Sequence, residues 1–263
     1  MLINDNTKKK LPIKDFSDYF VVTDFDRTIT NGASKTSWSI LAGSDLVPKD
    51  YVVDRQKLYD KYRPIEIDET MNFETRSKLV SEWYKKHIEL FVKYKVSEDL
   101  FEKAASDLRI MEFREGARQF LTFLYKKGIP LIIISAGIGN FIECFLRKNN
   151  CFYDNIYISS NKILFDNGVA IGASDNIIHS LNKDEVSLPK EIRDRLSERK
   201  RVILLGDQES DLKMVNPSLH EDVITVGFFQ ASSKISFEEY RKLFDIVCSE
   251  EDNYKVLSKK LFN

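Results

Sequence analysis

The stretch that most limits how this chain can fold is Phe20-Val21-Val22-Thr23-Asp24-Phe25-Asp26-Arg27-Thr28. Phe20, Val21 and Val22 have the pattern of a short buried strand. The run then breaks into two carboxylates spaced i, i+2. In an open parallel sheet, ligands bind beyond the C-terminal ends of the strands. That puts Asp24 at the mouth of a site, with Asp26 just past it on the departing loop. One carboxylate so placed can attack a phosphorus atom while the other carries a proton to or from the ester oxygen. Alone, the pattern is weak, because aspartates are common in turns.

Three further stretches strengthen it. Leu131-Ile132-Ile133-Ile134 is a second apolar strand, ending in Ser135-Ala136-Gly137. Val202-Ile203-Leu204-Leu205 is another, ending in Gly206-Asp207-Gln208-Glu209-Ser210-Asp211. Between them, Asn182-Lys183-Asp184 offers an ammonium group. Phosphate esters repel nucleophiles with their own negative oxygens, so a site must supply positive charge and alignment. Hydroxyl and amide donors suit phosphate geometry, and a lysine offsets the repulsion among carboxylates. A hard, oxygen-seeking Mg²⁺ suits the carboxylates themselves.

These four stretches resemble the signature of the haloacid dehalogenase superfamily of phosphohydrolases. Phe113-Arg114-Glu115-Gly116, Gly128-Ile129-Pro130, Ser135-Ala136-Gly137-Ile138-Gly139, Asn182-Lys183-Asp184 and Ile65-Glu66-Ile67-Asp68 narrow the likeness to the cytosolic pyrimidine 5′-nucleotidase family. The resemblance implies a doubly wound, mainly parallel α/β sheet of Rossmann-like, haloacid dehalogenase type with an inserted helical cap. It implies hydrolysis of pyrimidine nucleoside 5′-monophosphates through an aspartyl-phosphate, with Mg²⁺ as cofactor. By the same resemblance Asp24 is the nucleophile and a metal ligand. Asp26 is the acid and base, with its carbonyl on the metal, and Asp207 completes the metal's protein ligands. Asp211 holds metal-bound water or orients its neighbours, Ser135, Ala136 and Lys183 hold the phosphate, and Glu66 contacts the base. Three features depart from the family pattern: Arg27 between Asp26 and Thr28, Gln208-Glu209-Ser210 in place of a serine-x-glycine version, and no paired-cysteine segment between Asn31 and Tyr59.

The alternation of strand and helix after Met111 independently argues for a doubly wound sheet. From Thr36 to about residue 109 there is little strand character and much helical periodicity. Residues 73–94 form one long amphipathic segment, and Ser97 is a candidate cap for the next helix. The expected division is a core of residues 1–32 and 110–263, with residues 33–109 as a cap able to close over substrate. Residues 115–127 read as a helix stopped by Gly128, and 189–197 as a helix with Pro189 early in it. Asp166-Asn167-Gly168 is a hairpin signal.

Lysine and arginine total 40 against 41 acidic residues, so no global field steers the chain to a nucleic-acid polymer or a membrane surface. The partner implied is a small phosphate ester, a nucleoside monophosphate by resemblance; a monomer is compatible with the sequence. Cys144, Cys151 and Cys248 form no metal spacing, and His87, His179 and His220 are too scattered for a zinc site. The start of the chain lacks a long apolar run, which with free thiols points to the cytoplasm. Two other readings remain open on sequence. One is a related phosphatase for another small ester; the other is a phospho-aspartate signalling domain or an inactive binding domain. The helical insertion, and the pairing of an early Asp24 with Asp26, favour the enzyme.

Overall fold

The computed structural model describes residues 1–107, 111–174, 176–185, 188–231, 233, 235–249 and 252–263. In chain order the elements are β1 (Leu2–Ile3), α1 (Asp5–Lys8), β2 (Tyr19–Thr23), α2 (Lys49–Glu66), α3 (Phe73–Lys93) and α4 (Glu98–Ala105), then α5 (Ala117–Lys126), β3 (Leu131–Ile138), α6 (Gly139–Lys148) and β4 (Ile156–Asn161). They continue with β5 (Ile163–Asp166), β6 (Val169–Ala173), α7 (Lys190–Leu196), β7 (Arg201–Gly206), β8 (Asp222–Phe228), α8 (Phe237–Leu243), β9 (Ile246–Cys248) and α9 (Tyr254–Phe262).

Every residue of β2 is buried, as expected of a strand covered on both faces. It lies inside a seven-stranded sheet of order β1-β9-β8-β7-β2-β3-β4. All neighbouring pairs are parallel except β1 with β9. Side chains alternate between the faces. Phe20, Val22, Ile132, Ile134, Val202 and Leu204 pack in one apolar cluster, while Val21, Ile133, Ile203 and Leu205 join the larger one. From β2 the chain builds β3 and β4 on one side, then returns to place β7 on the other. This reversal of strand order opens a crevice at the C-terminal end of β2.

The register gathers the polar strand ends there. Thr23 pairs with Ile133 on one side and Leu205 on the other, so Asp24, Ser135 and Asp207 emerge at nearly the same level. Helices α2, α3 and α4 are inserted between β2 and β3, and α2 packs along α3. The expected junction at residues 109–110 lies outside the described residues. Asn167 and Gly168 have φ of 46° and 74°, the two positive values of a type I′ turn. The hairpin they close forms its own two-stranded sheet. It faces the helical insertion: Ala170 N–H donates to Val96 O at 2.9 Å, and Phe101 meets Phe165 edge-on.

Three local expectations shift. Helix α5 starts at Ala117, because Gly116 before it sits at φ 80°. Pro189 caps α7 from outside with ψ 141°, since its ring sets the φ of an approach to a helix as readily as of its first turn. Ser97 does precede α4, but its hydroxyl bonds the Asp99 carboxylate rather than a helix amide. Among the described residues, no helix is long and apolar enough to cross a membrane.

Candidate active site

Asp24 leaves β2 with its amide donating to Leu205 O at 3.0 Å, which fixes its backbone to β7. Its side chain is buried, as are those of Lys183, Asp207 and Asp211. Lys183 Nζ donates to Asp24 Oδ1 at 2.6 Å and to Asp211 Oδ1 at 3.0 Å. The other Asp211 oxygen accepts the amides of Asp207 and Gln208, both at 3.0 Å. That closes the turn after β7. Gly206 makes this possible: a Cβ there would meet the Asp211 Cβ at 2.5 Å.

Asp24, Asp207 and Asp211 offer carboxylate oxygens within 4.8 Å of one another. Three buried carboxylates beside one ammonium would leave two uncompensated negative charges if all were ionised. Burial, only partly opposed by Lys183, raises the Asp24 carboxyl to about 7. Burial and Asp211 raise Asp207 well above its ordinary value. Burial works against the Lys183 ammonium, yet Asp211 and Asp24 overcome it and hold its pKa above the usual lysine range. A divalent cation would balance the charge, and an oxygen-only donor set suits Mg²⁺. The residues fit that group.

Asp26 turns away from this cluster toward Ser37. Ser37 N–H donates to Asp26 Oδ1 at 2.9 Å and Oδ2 at 3.1 Å, and Ser37 Oγ donates to Oδ2 at 2.9 Å. Burial raises the Asp26 carboxyl, with these hydrogen bonds opposing it. The loop behind is held by Arg114, which donates Nε to Thr28 O at 3.2 Å and Nη2 to Arg27 O, while lying 4.4 Å from the Phe228 ring centre. Arg27 itself adopts φ 65°.

Ser135 and Ala136 follow the apolar part of β3. Ser135 Oγ accepts the Gly137 amide at 3.0 Å. The Ala136 carbonyl accepts from two donors, Trp38 Nε1 at 2.7 Å and Asn161 Nδ2 at 2.8 Å. Asn161, buried at the end of β4, also donates to Gly137 O and Ile178 O and accepts the Ile178 amide at 2.9 Å. One side chain thus joins the C-terminal end of β3 to the loop carrying Lys183.

These groups open into a cavity of about 600 Å³ that includes Asp24, Asp26, Ser135, Ala136 and Lys183. Glu66 lines it from the end of α2. Its Oε1 accepts Ser180 Oγ at 2.6 Å, and its Oε2 pairs with Arg63. Trp83 and Tyr84 also face the cavity, with Trp38 and Tyr84 edge-on at 5.2 Å. Tyr84 reaches His179 at 6.1 Å between ring centres, so His179 belongs to the seam beneath the insertion. Asp207 and Asp211 stand behind Asp24 rather than along the wall.

Sequence reasoning missed Ser37 and Asn161, and it missed Trp38, Arg55 and His87, which also line the cavity. Ser37 and Trp38 lie in a loop without a motif. His87 and Arg55 are single positions on helices, where spacing shows a face but no partner. Asn161 had one visible signal, an amide ending a strand.

A family model described as pyrimidine 5′-nucleotidase (UMPH-1) matches residues 23–262. A 7-methylguanosine phosphate-specific 5′-nucleotidase of Drosophila melanogaster is 31% identical over 247 residues, covering 90% of this chain and 76% of the relative. The crystal structure of cytosolic 5′-nucleotidase IIIB bound to cytidine superposes with a TM-score of 0.85 at 28% identity, covering 97% of this chain and 90% of that one. A HAD-family hydrolase from Salmonella enterica serovar Typhi shares the fold, with a TM-score of 0.60 at 14% identity over 92% of this chain and 70% of that one.

Proposed function

The chain belongs to the pyrimidine 5′-nucleotidase family, and on that premise we propose that it hydrolyses pyrimidine nucleoside 5′-monophosphates through an aspartyl-phosphate, with Mg²⁺ bound. The observation that carries this reading is the meeting of Asp24, Lys183 and Asp211 at hydrogen-bond distance beneath a cavity that also holds Ser135 and Glu66.

An Asp24 oxygen attacks phosphorus in line while the bond from phosphorus to the ribose O5′ breaks. Asp26 gives its proton to O5′, so the nucleoside leaves as a neutral alcohol. Asp26 then takes a proton from water, whose oxygen attacks the aspartyl-phosphate and releases orthophosphate with Asp24 restored. Ser135, with the amides beyond it, and Lys183 hold the phosphate oxygens. Asp24, Asp207 and the Asp26 carbonyl are the groups that would hold the cation. Asp211, with its oxygens taken by Lys183 and two amides, orients these neighbours. Mg²⁺, when bound, would supply charge neutralisation at the phosphate. Residues 33–109 act as the cap, and Glu66 accepts a hydrogen bond from the base.

A second reading has support in the Drosophila relative's name and in the Trp38, Trp83 and Tyr84 side chains at the cavity. Methylation at N7 makes guanine cationic, and aromatic faces beside a carboxylate suit a cation. The substrate would then be 7-methylguanosine 5′-monophosphate. A cytosolic place for the chain follows the neighbour described as cytosolic.

The test is phosphate release from CMP, UMP, 7-methylguanosine monophosphate, GMP and phosphoserine, with and without Mg²⁺. Preference for CMP and UMP supports the first reading, and preference for the methylated nucleotide the second. Preference for phosphoserine, or turnover unchanged by chelation, overturns both.

A further inference from the structure

Resting on Asp26 as the acid, we propose that Ser37 is the positioning residue that aims the Asp26 carboxyl at the departing oxygen. Ser37 is eleven positions beyond Asp26, in the loop between β2 and α2, and is buried. Its amide and hydroxyl supply three contacts to one carboxyl group, and no other described side chain donates to that group.

The direction of the hydroxyl follows from its second neighbour. Ile138 N–H donates to Ser37 Oγ at 3.2 Å. Because that partner is a donor, the Ser37 proton is free to point at Asp26 Oδ2. The result is a one-way chain from the backbone of β3 through Ser37 to Asp26. It links the proton-transfer group to the same β3 segment whose Ser135 faces the phosphate. Space for the chain comes from Gly137, where a Cβ would stand 2.2 Å from Ser37 Oγ and 3.3 Å from Asp26 Oδ2.

Both contacts of the Ser37 amide survive replacement by alanine, so Ser37→Ala removes only the hydroxyl. A carboxyl held on one side can swing, and a proton donor that swings fails most where the leaving group needs its proton most. A nucleoside O5′ needs it, whereas a nitrophenolate leaves readily without it.

The experiment is a single turnover with enzyme in excess and Mg²⁺ present. It follows release of cytidine from CMP, of 7-methylguanosine from its monophosphate, and of nitrophenolate from p-nitrophenyl phosphate. In Ser37→Ala, nucleoside release should slow about 10- to 100-fold, the span for one hydrogen bond to a charged group. Nitrophenolate release should slow less than about threefold, and the enzyme concentration giving half the maximal single-turnover rate on the nucleotide should stay within about threefold of wild type, as for a group acting in the transition state. Ser37→Cys, similar in volume but a poor donor, should show the same split. Equal slowing of both leaving groups, or none, overturns the proposal, as does failure of both variants to fold, which would make Ser37 structural. Asp26→Asn run in parallel separates the two readings. If it shows the split and Ser37→Ala does not, only the Ser37 role falls. If it slows both leaving groups alike, the acid role of Asp26 falls first.

Discussion

Lys183 Nζ sits 2.6 Å from Asp24 Oδ1 across 159 positions of sequence, with both side chains nearly sealed from solvent. In the proposed mechanism such a contact would shield the Asp24 carboxylate from a phosphate and from the two other acids behind it. Removing one member of a buried pair costs about 3–5 kcal/mol, because the other charge is left without compensation. Lys183→Met should therefore lower the unfolding temperature at neutral pH in the absence of divalent ions. Mg²⁺ should recover more of that loss than it adds to wild type. Activity should fall on the order of 10²- to 10³-fold, as for other lost electrostatic stabilisers. Thermal unfolding with and without Mg²⁺, beside phosphate release, reads both effects; a variant as stable and active as wild type would show the contact to be incidental.

Asp24→Asn should abolish turnover while the fold persists, since an amide is a poor nucleophile and a weaker metal ligand. It also carries a stability signature. The folded carboxyl is raised from 3.8 to about 7 by burial, so its contribution is full below the lower value and is lost as pH rises through the higher one. In metal-free protein, wild type should lose stability relative to Asp24→Asn between about pH 4 and pH 7. Denaturant midpoints across that range decide it, and parallel curves would contradict the buried-carboxylate account.

Glu66 has two structural ties that could imitate substrate recognition. If it reads the base, Glu66→Ala should lower kcat/KM for CMP or UMP by roughly 1.5–3 kcal/mol while an aryl phosphate suffers much less. Ser180→Ala cuts only the contact between α2 and the loop of Lys183, and should move the nucleotide and the aryl phosphate together. The same ratio of effects in both variants would make Glu66 a fastening between α2 and that loop rather than a contact for the base.

His87 makes the acid limb of the stability curve testable. Packed 4.8 Å from Trp38 and 3.3 Å from the Tyr51 hydroxyl, it is pushed by burial from 6.5 to about 3. Its folded pKa is the lower one, so stability is full above the unfolded value and is lost as pH falls toward the folded one. At pH 5 the loss is about 2 kcal/mol. His87→Gln should flatten the difference in unfolding free energy between pH 7 and pH 5 by that order; an unchanged difference would mean the imidazole is not held neutral.

The strand ends and the order of Asp24, Ser135, Lys183 and Asp207 could be read from the sequence because apolar runs stop abruptly at polar residues. Burial on both faces of a parallel sheet leaves that mark in a single chain. The doubly wound sheet followed also from the alternation of strand and helix after Met111, and the family from further short segments such as Phe113-Arg114-Glu115-Gly116 and Ile65-Glu66-Ile67-Asp68. What could not be read was contact made by segments without regular structure. Ser37 meets Asp26, and Asn161 meets Ala136 and Ile178, through hydrogen bonds that depend on how distant loops fold together. Periodicity carries no trace of these. Asp26 shows the limit within a motif: its i, i+2 spacing from Asp24 is plain, but nothing local indicates that its carboxyl faces a serine eleven residues further along the chain.

The pairing of Thr23 with Ile133 and Leu205 has a consequence for how a faulty molecule would be noticed. A slip of one residue in either neighbour would turn its side chains to the opposite face. It would carry Ser135 or Asp207 away from Asp24 and, in the same movement, force isoleucine and leucine side chains fitted to one covered face into the packing of the other. A misassembled copy therefore cannot pass as a sound but silent protein. Its chemical fault is coupled to a misfitted core, and the loss of stability that follows is what chaperones and proteases act on without any need to test for catalysis.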